Sequence, residues 1–216
     1  MAEELSLLKQ AHTTHRDAYH QHIAKNYDEA LRLYKISAAT GLAKSEYAIG
    51  RILAFDQEGK HDYEAALPWI LRSSVPRAEH QGYGFYATQQ YAEKSLNWFC
   101  KNGAAEFPST HPFAKDPKCL HGRAKALMYG WFNMQKDEDS ARTLLETSIA
   151  AGWTDAQATL DKLDRRSQAR DRKTKTFKID GKRTLFVLFM LLLALQIFRR
   201  LRIRQFIFGV LYRNSV

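Results

Sequence analysis

Four of the eight histidines, His12, His15, His20 and His22, stand close together near the N-terminus. On a helix His15, Tyr19 and His22 share a face at i, i+4 and i+7, so two imidazoles can approach one metal ion. A zinc site asks for a third ligand of matched geometry, and the nearby acid, Asp17, falls on another face. The cluster therefore reads as a solvated helix surface. The two cysteines, Cys100 and Cys119, lack C-x-x-C spacing and are too few for a disulfide framework. The ordinary reading is a pair of partly buried thiols in a reducing compartment. A single bridge is the alternative, since sequence does not set their separation. Gly82-Tyr83-Gly84 lacks the third glycine of a dinucleotide turn, and the chain has no phosphate loop, nucleophile elbow or HExxH. Glu64 and Glu146 are lone acids on polar faces. No catalytic, cofactor or metal role is assigned, and the chain reads as a non-enzyme.

The elements that would position any site are helical and periodic. Tyr27-Asp28-Glu29-Ala30-Leu31-Arg32-Leu33-Tyr34 aligns with Tyr63-Glu64-Ala65-Ala66-Leu67-Pro68-Trp69-Ile70 at an offset of 36, which also sets Tyr47 on Tyr83. Ala30 precedes Gly41, and Ala141 precedes Gly152, by the same eleven residues. Periods of this length mark arrays of helix pairs that bury their apolar faces on one another. Ala30, Leu33, Tyr34, Ser37 and Ala38 form one stripe, and Ala43, Tyr47, Gly50, Arg51 and Ala54 another. Gly50 belongs where two helix axes approach closely. Gly41 and Gly152 occupy C′ positions that call for a left-handed backbone, and Asp62 is a good N-cap type. No run alternates as a half-buried strand does. The predicted fold is all-α, a short α-solenoid of antiparallel helix pairs over 1–165, irregular over 104–118 where Pro108, Pro112 and Pro117 crowd. Tyr34, Tyr47, Tyr63, Trp69, Trp98 and Tyr129 are expected mostly in the core, with a concave groove as the alternative place for some. Trp153 to about Arg166 is expected to form a capping helix.

These residues carry a resemblance. Ala43, Tyr47, Ile49, Gly50, Gly59, Asp62, Tyr63, Ala66, Leu67 and Trp69 resemble the Sel-one-like repeat, the 36-residue relative of the tetratricopeptide repeat. Arg77 stands where that pattern closes on glycine. A second copy runs from about Gly122 to Gly152, with Tyr129, Asp139, Ala141, Leu144 and Gly152 in register. Tyr91 to Trp98 resembles the second helix of a degenerate unit between them. The resemblance covers about residues 15–165 and implies a scaffold that assembles protein complexes rather than one reaction type.

Charge divides the chain. The net charge is +10, but residues 1–163 hold 19 Lys and Arg against 20 Asp and Glu. Residues 164–216 hold 14 Lys and Arg against three Asp. Residues 166–183 are read as a basic juxtamembrane linker, either solvated or extending the last helix. An apolar run from Leu185 to Phe198 follows, giving a transmembrane or membrane-embedded helix over 184–200, flanked by Lys182, Arg183, Arg199 and Arg200. Fifteen residues reach roughly 22 Å against the ~30 Å hydrocarbon core, a deficit that snorkelling flanks and local thinning can absorb. An in-plane or re-entrant anchor is the alternative, because 201–216 is basic and apolar together. Nine basic residues precede the run over 164–183 and five follow it, which orients the repeat domain to the cytosol. The N-terminus has no basic region leading into an apolar stretch, so no secretory signal is read there. One aromatic, Phe177, accompanies the basic stretch, so no specific nucleic acid is expected. The expected function is a membrane-anchored scaffold for unidentified protein partners, held to lipid through 184–216. The alternative is an accessory subunit of an integral membrane complex.

Overall fold

The computed structural model of the chain describes residues 2–77, 83–174, 186, 188–193 and 196. All the regular structure among the described residues is helical, with no strand. The chain divides into two units, Met1–Leu163 and Asp164–Val216.

In the first unit the helices are α1 (Ala2–Ile23), α2 (Tyr27–Ala38), α3 (Ala43–Arg51), α4 (Tyr63–Ser74), α5 (Tyr83–Asn102), α6 (Pro117–Tyr129) and α7 (Glu138–Ala150). Residues 155–163 are also helical and close the unit. Each helix packs on the next in the chain. Aspartates start three of them. The carboxylate of Asp62 accepts from Ala65 N at 2.9 Å, that of Asp116 from Lys118 N at 2.8 Å, and that of Asp137 from Ser140 N at 3.0 Å. Each satisfies a backbone donor that the first turn leaves unpaired. At the other ends, Gly41 and Gly152 take φ of +82° and +90°, a region that a side chain at Cβ disfavours.

Small residues set the spacing. Ala18, Ala30, Tyr34, Ala38, Ile49 and Ile52 form one core cluster. Ala66, Ile70, Leu96 and Phe99 belong to a second, and Ala124, Met128, Ala141, Leu145, Ala156 and Leu163 to a third. At the α3–α4 crossing, a Cβ on Gly50 would lie 2.5 Å from Ile70 Cγ1 and 3.1 Å from the Ala66 carbonyl oxygen. Gly50→Leu should therefore overpack this contact by roughly 1–3 kcal/mol; an unchanged urea midpoint would contradict the close crossing.

Three local features differ from the sequence expectation. One continuous helix, α5, covers the degenerate stretch from Tyr83 to Asn102 where a pair of shorter helices would suit a repeat. Of the three crowded prolines, Pro117 is the first residue of α6, where its missing N–H costs no helical bond; the irregular stretch ends at Asp116. After α3, Ile52–Asp56 winds as a π turn, a local widening that re-aims the side chains following it.

In the second unit, residues 164–174 are helical and mostly exposed, and so are residues 188–193. Among the described residues no helix is long and apolar enough to cross a membrane. Lys182, Arg183, Arg199, Arg200 and most of the expected 184–200 segment lie outside the described residues.

Candidate functional site

The repeat aromatics pack on the core clusters, most of them at the edges. Tyr34 is 1% exposed, but Tyr47, Tyr63, Trp69, Trp98 and Tyr129 are only partly buried. The fully buried ring of the second cluster is Phe99, at 0%, one residue beyond the aromatic that the repeat spacing selects. With Phe99 turned inward, Trp98 packs at the edge of the cluster and keeps part of its surface open, because successive helix positions point about 100° apart.

That rotation builds an aromatic face. Tyr63 at the start of α4 stacks on Trp98 of α5 with centroids 5.7 Å apart. Phe132 meets both, at 5.1 Å and 5.9 Å. The π turn brings Phe55 to 5.1 Å from Trp98, with 37% of its surface exposed. Trp131, 42% exposed, lies edge-on to Phe132 at 6.5 Å and stacks on Tyr129 at 5.1 Å. Phe132 is held at φ 56° and Asn133 at φ 61°. Left-handed conformations at such residues persist where surrounding contacts enforce them, and they collect at binding sites. Four separate segments thus contribute rings to one partly solvated surface.

The N-terminal histidines correct the reading of a solvated surface. His15 and His22 are part-buried contacts between helices, whereas His12 and His20 remain exposed. Ser37 Oγ donates to the Ala11 carbonyl at 2.8 Å and lies 2.7 Å from Ser45 Oγ. A hydroxyl has one proton, so Ser45 donates to Ser37 and accepts from His15 Nδ1 at 2.8 Å. His15 is therefore a donor to Ser45, the reverse of what a base activating a nucleophile would be. Ser45 is also fully buried. His22 Nε2 lies 3.0 Å from Asp56 Oδ2, and its ring meets Tyr27 and Tyr34 edge-on.

Burial, followed by repulsion from Lys44 and His12, pulls His15 from 6.5 down to about 4. The folded chain refuses a proton that the unfolded chain accepts. This contribution to stability is complete above about pH 6.5 and is lost as pH falls towards about 4. Between pH 7 and pH 5 the unfolding free energy should drop by about 1–2 kcal/mol, allowing for partial solvent screening. Urea denaturation at both pH values checks it; a slope undiminished in His15→Gln would assign the effect elsewhere, His111 and His121 being lowered in the same direction.

An acid that sequence reasoning passed over is fully buried. Glu46 is 0% exposed. Its Oε2 accepts from Arg77 Nη2 at 2.7 Å, and Arg72 makes an ion contact of 2.8 Å with Oε1. Arg77 also donates to the carbonyls of Gly41 and Arg72. The signal for it was Arg77 in the place of the closing glycine.

A cavity of about 670 Å³ opens beside the end of α5, among Phe99, Phe107, Phe113, Leu120, Leu144 and Arg123. Arg123 donates to the Gly103 carbonyl at 3.2 Å and lies 3.5 Å from Glu64. Cys100 and Cys119 line the same cavity as a disulfide, so of the two sequence alternatives the bridge is the one found.

The residues singled out by the repeat spacing fall into two groups. Ala30, Ala43, Gly50, Ala66 and Ala141 are buried at helix contacts, and Gly41 and Gly152 end helices. Tyr27 and Leu31 pack partly buried against the first core cluster. Tyr47 stacks on Tyr91 at 6.1 Å, and Trp69 carries the Arg72 guanidinium over its ring at 4.9 Å. Of the residues that the spacing singles out, Tyr63 and Trp98 enter the aromatic face. Phe55, Phe132 and Trp131 were missed because the π turn and the left-handed turn follow no helical period. Compared with known proteins, the chain matches no family model, no curated protein and no solved structure.

Proposed function

We propose that the chain is a membrane-held interaction scaffold. Its first unit acts as a short α-solenoid of Sel-one-like helix pairs, and residues 184–216 hold it to lipid with the repeats in the cytosol. The observation that carries the interaction role is the aromatic face of Phe55, Tyr63, Trp98, Phe132 and Trp131. Aromatic residues dominate binding hot spots when they cluster at a surface and keep partial exposure in the free protein. The helix order, each packing on its chain neighbour, and the 36-residue offset support the repeat reading. The apolar run 185–198 between basic flanks supports the anchor.

Affinity purification of the full chain in mild detergent tests it. Tyr63→Ala with Trp98→Ala should cost at least about 2 kcal/mol of binding, roughly 30-fold, if these rings are hot spots. Retention of the same partners at the same strength would remove the aromatic face from the account.

A further inference from the structure

We propose that Cys100, Cys119 and Asp116 form a redox-gated site for a thiophilic divalent cation of the zinc class, shut while the two sulfurs are bonded and open to the ion once they are reduced. The three ligand atoms lie within 4.8 Å of one another. They come from two helices: Cys100 from the last turns of α5, and Asp116 and Cys119 from the N-cap and first turn of α6. Two thiolates and a carboxylate are a donor set that zinc accepts, with water completing four-coordination. Both cysteines face the cavity of about 670 Å³, which admits the ion, the water and a reductant.

The site does not depend on the S–S bond for its assembly. A Cβ on Gly122 would clash with the carbonyl oxygens of Cys100 and Lys101, and one on Gly103 would clash with the Arg123 backbone. The two helices therefore meet backbone to backbone at this level, and the sulfurs stay adjacent after reduction. Asp116 is already positioned, since its Oδ1 accepts from Lys118 N at 2.8 Å and Cys119 N at 3.3 Å. Those bonds leave the second carboxylate oxygen for a metal. Cys119, in the first turn of α6, sits where the positive end of the helix favours the thiolate.

The gating step balances with a thiol reductant of the glutathione or dithiol class. Two electrons from its sulfurs break the Cys100–Cys119 bond. The reductant is oxidised to its own disulfide, and its two protons end on the two Sγ atoms. Binding of the divalent ion then releases those two protons to solvent.

The test uses the full chain in mild detergent, with Co²⁺ and Zn²⁺ alone as probes. After reduction with a phosphine and removal of excess reductant, the chain should take up one equivalent of Co²⁺ with a thiolate-to-cobalt charge-transfer band, which Zn²⁺ abolishes. The oxidised chain should show no such band. Asp116→Asn keeps an N-cap residue and should weaken Zn²⁺ binding at least tenfold, roughly the scale on which even outer-shell partners act. Absence of the band in the reduced chain would overturn the site. Equal uptake without the band by oxidised and reduced chains would also overturn it, placing the ion on surface histidines. Undiminished affinity in Asp116→Asn would overturn the third ligand. The comparison of oxidised with reduced wild-type chain needs no variant, so a cysteine substitution that fails to fold does not blunt the test.

Discussion

Phe99→Ala should lower the unfolding free energy by about 3–5 kcal/mol, the scale for deleting a fully enclosed aromatic ring. Phe99 is 0% exposed, and Phe55, Tyr63 and Trp98 all pack on it within 6.0 Å. The cluster holds Leu67, Ile70 and Leu96 beside the small Ala66, Ala92 and Ala104, so its surroundings relax only partly into the void. Trp69→Ala should cost less, roughly 1–2 kcal/mol, since that ring packs only partly buried at the edge of the first core cluster, with the Arg72 guanidinium over it. Urea denaturation followed by far-ultraviolet circular dichroism separates the two. Equal losses would mean that Trp69 carries core weight the structure does not give it.

Glu46→Ala should cost about 3 kcal/mol, the low end for breaking a buried ion pair. The low end applies because Arg72 is 53% exposed and can return to water, whereas Arg77, 26% exposed, is left beside the Gly41 carbonyl without its counter-charge. Arg77→Leu in the Glu46→Ala background should recover part of the loss, as replacing a whole buried pair by apolar groups often does. A double variant no more stable than the single one would show that Arg77 acts through its contacts with the Gly41 and Arg72 carbonyls rather than through Glu46.

The helices were legible because a 3.6-residue apolar stripe recurs with small residues at fixed places, and alanine and glycine leave little choice of partner. Ala30, Ala66 and Ala141 are all fully buried. The face that each aromatic takes was less legible. A repeat pattern marks Trp98 as the conspicuous ring, yet the single helix α5 is phased so that Phe99 points inward. Glu46 reads as polar surface until Arg72, in the last turn of the next helix, and Arg77, just beyond it, are seen to converge on it. The aromatic face could not be drawn from the sequence, since it needs a π turn at Ile52–Asp56 and left-handed backbone at Phe132 and Asn133. Neither has a compositional signature here. The proximity of Cys100 and Cys119 was equally hidden, because an irregular excursion lies between them and its ends meet through close backbone contacts at Gly103 and Gly122.

We propose that hydrocarbon, not charge, holds this chain to a membrane. Fractionation of membranes carrying the full chain, by alkaline carbonate and separately by high salt, tests it most directly. Salt screens charge beyond about 3 Å at 1 M but leaves apolar burial intact. The account predicts that the protein stays in the pellet under both treatments, and that deletion of 184–216 moves it to the supernatant. Release of the full chain by salt alone would contradict it.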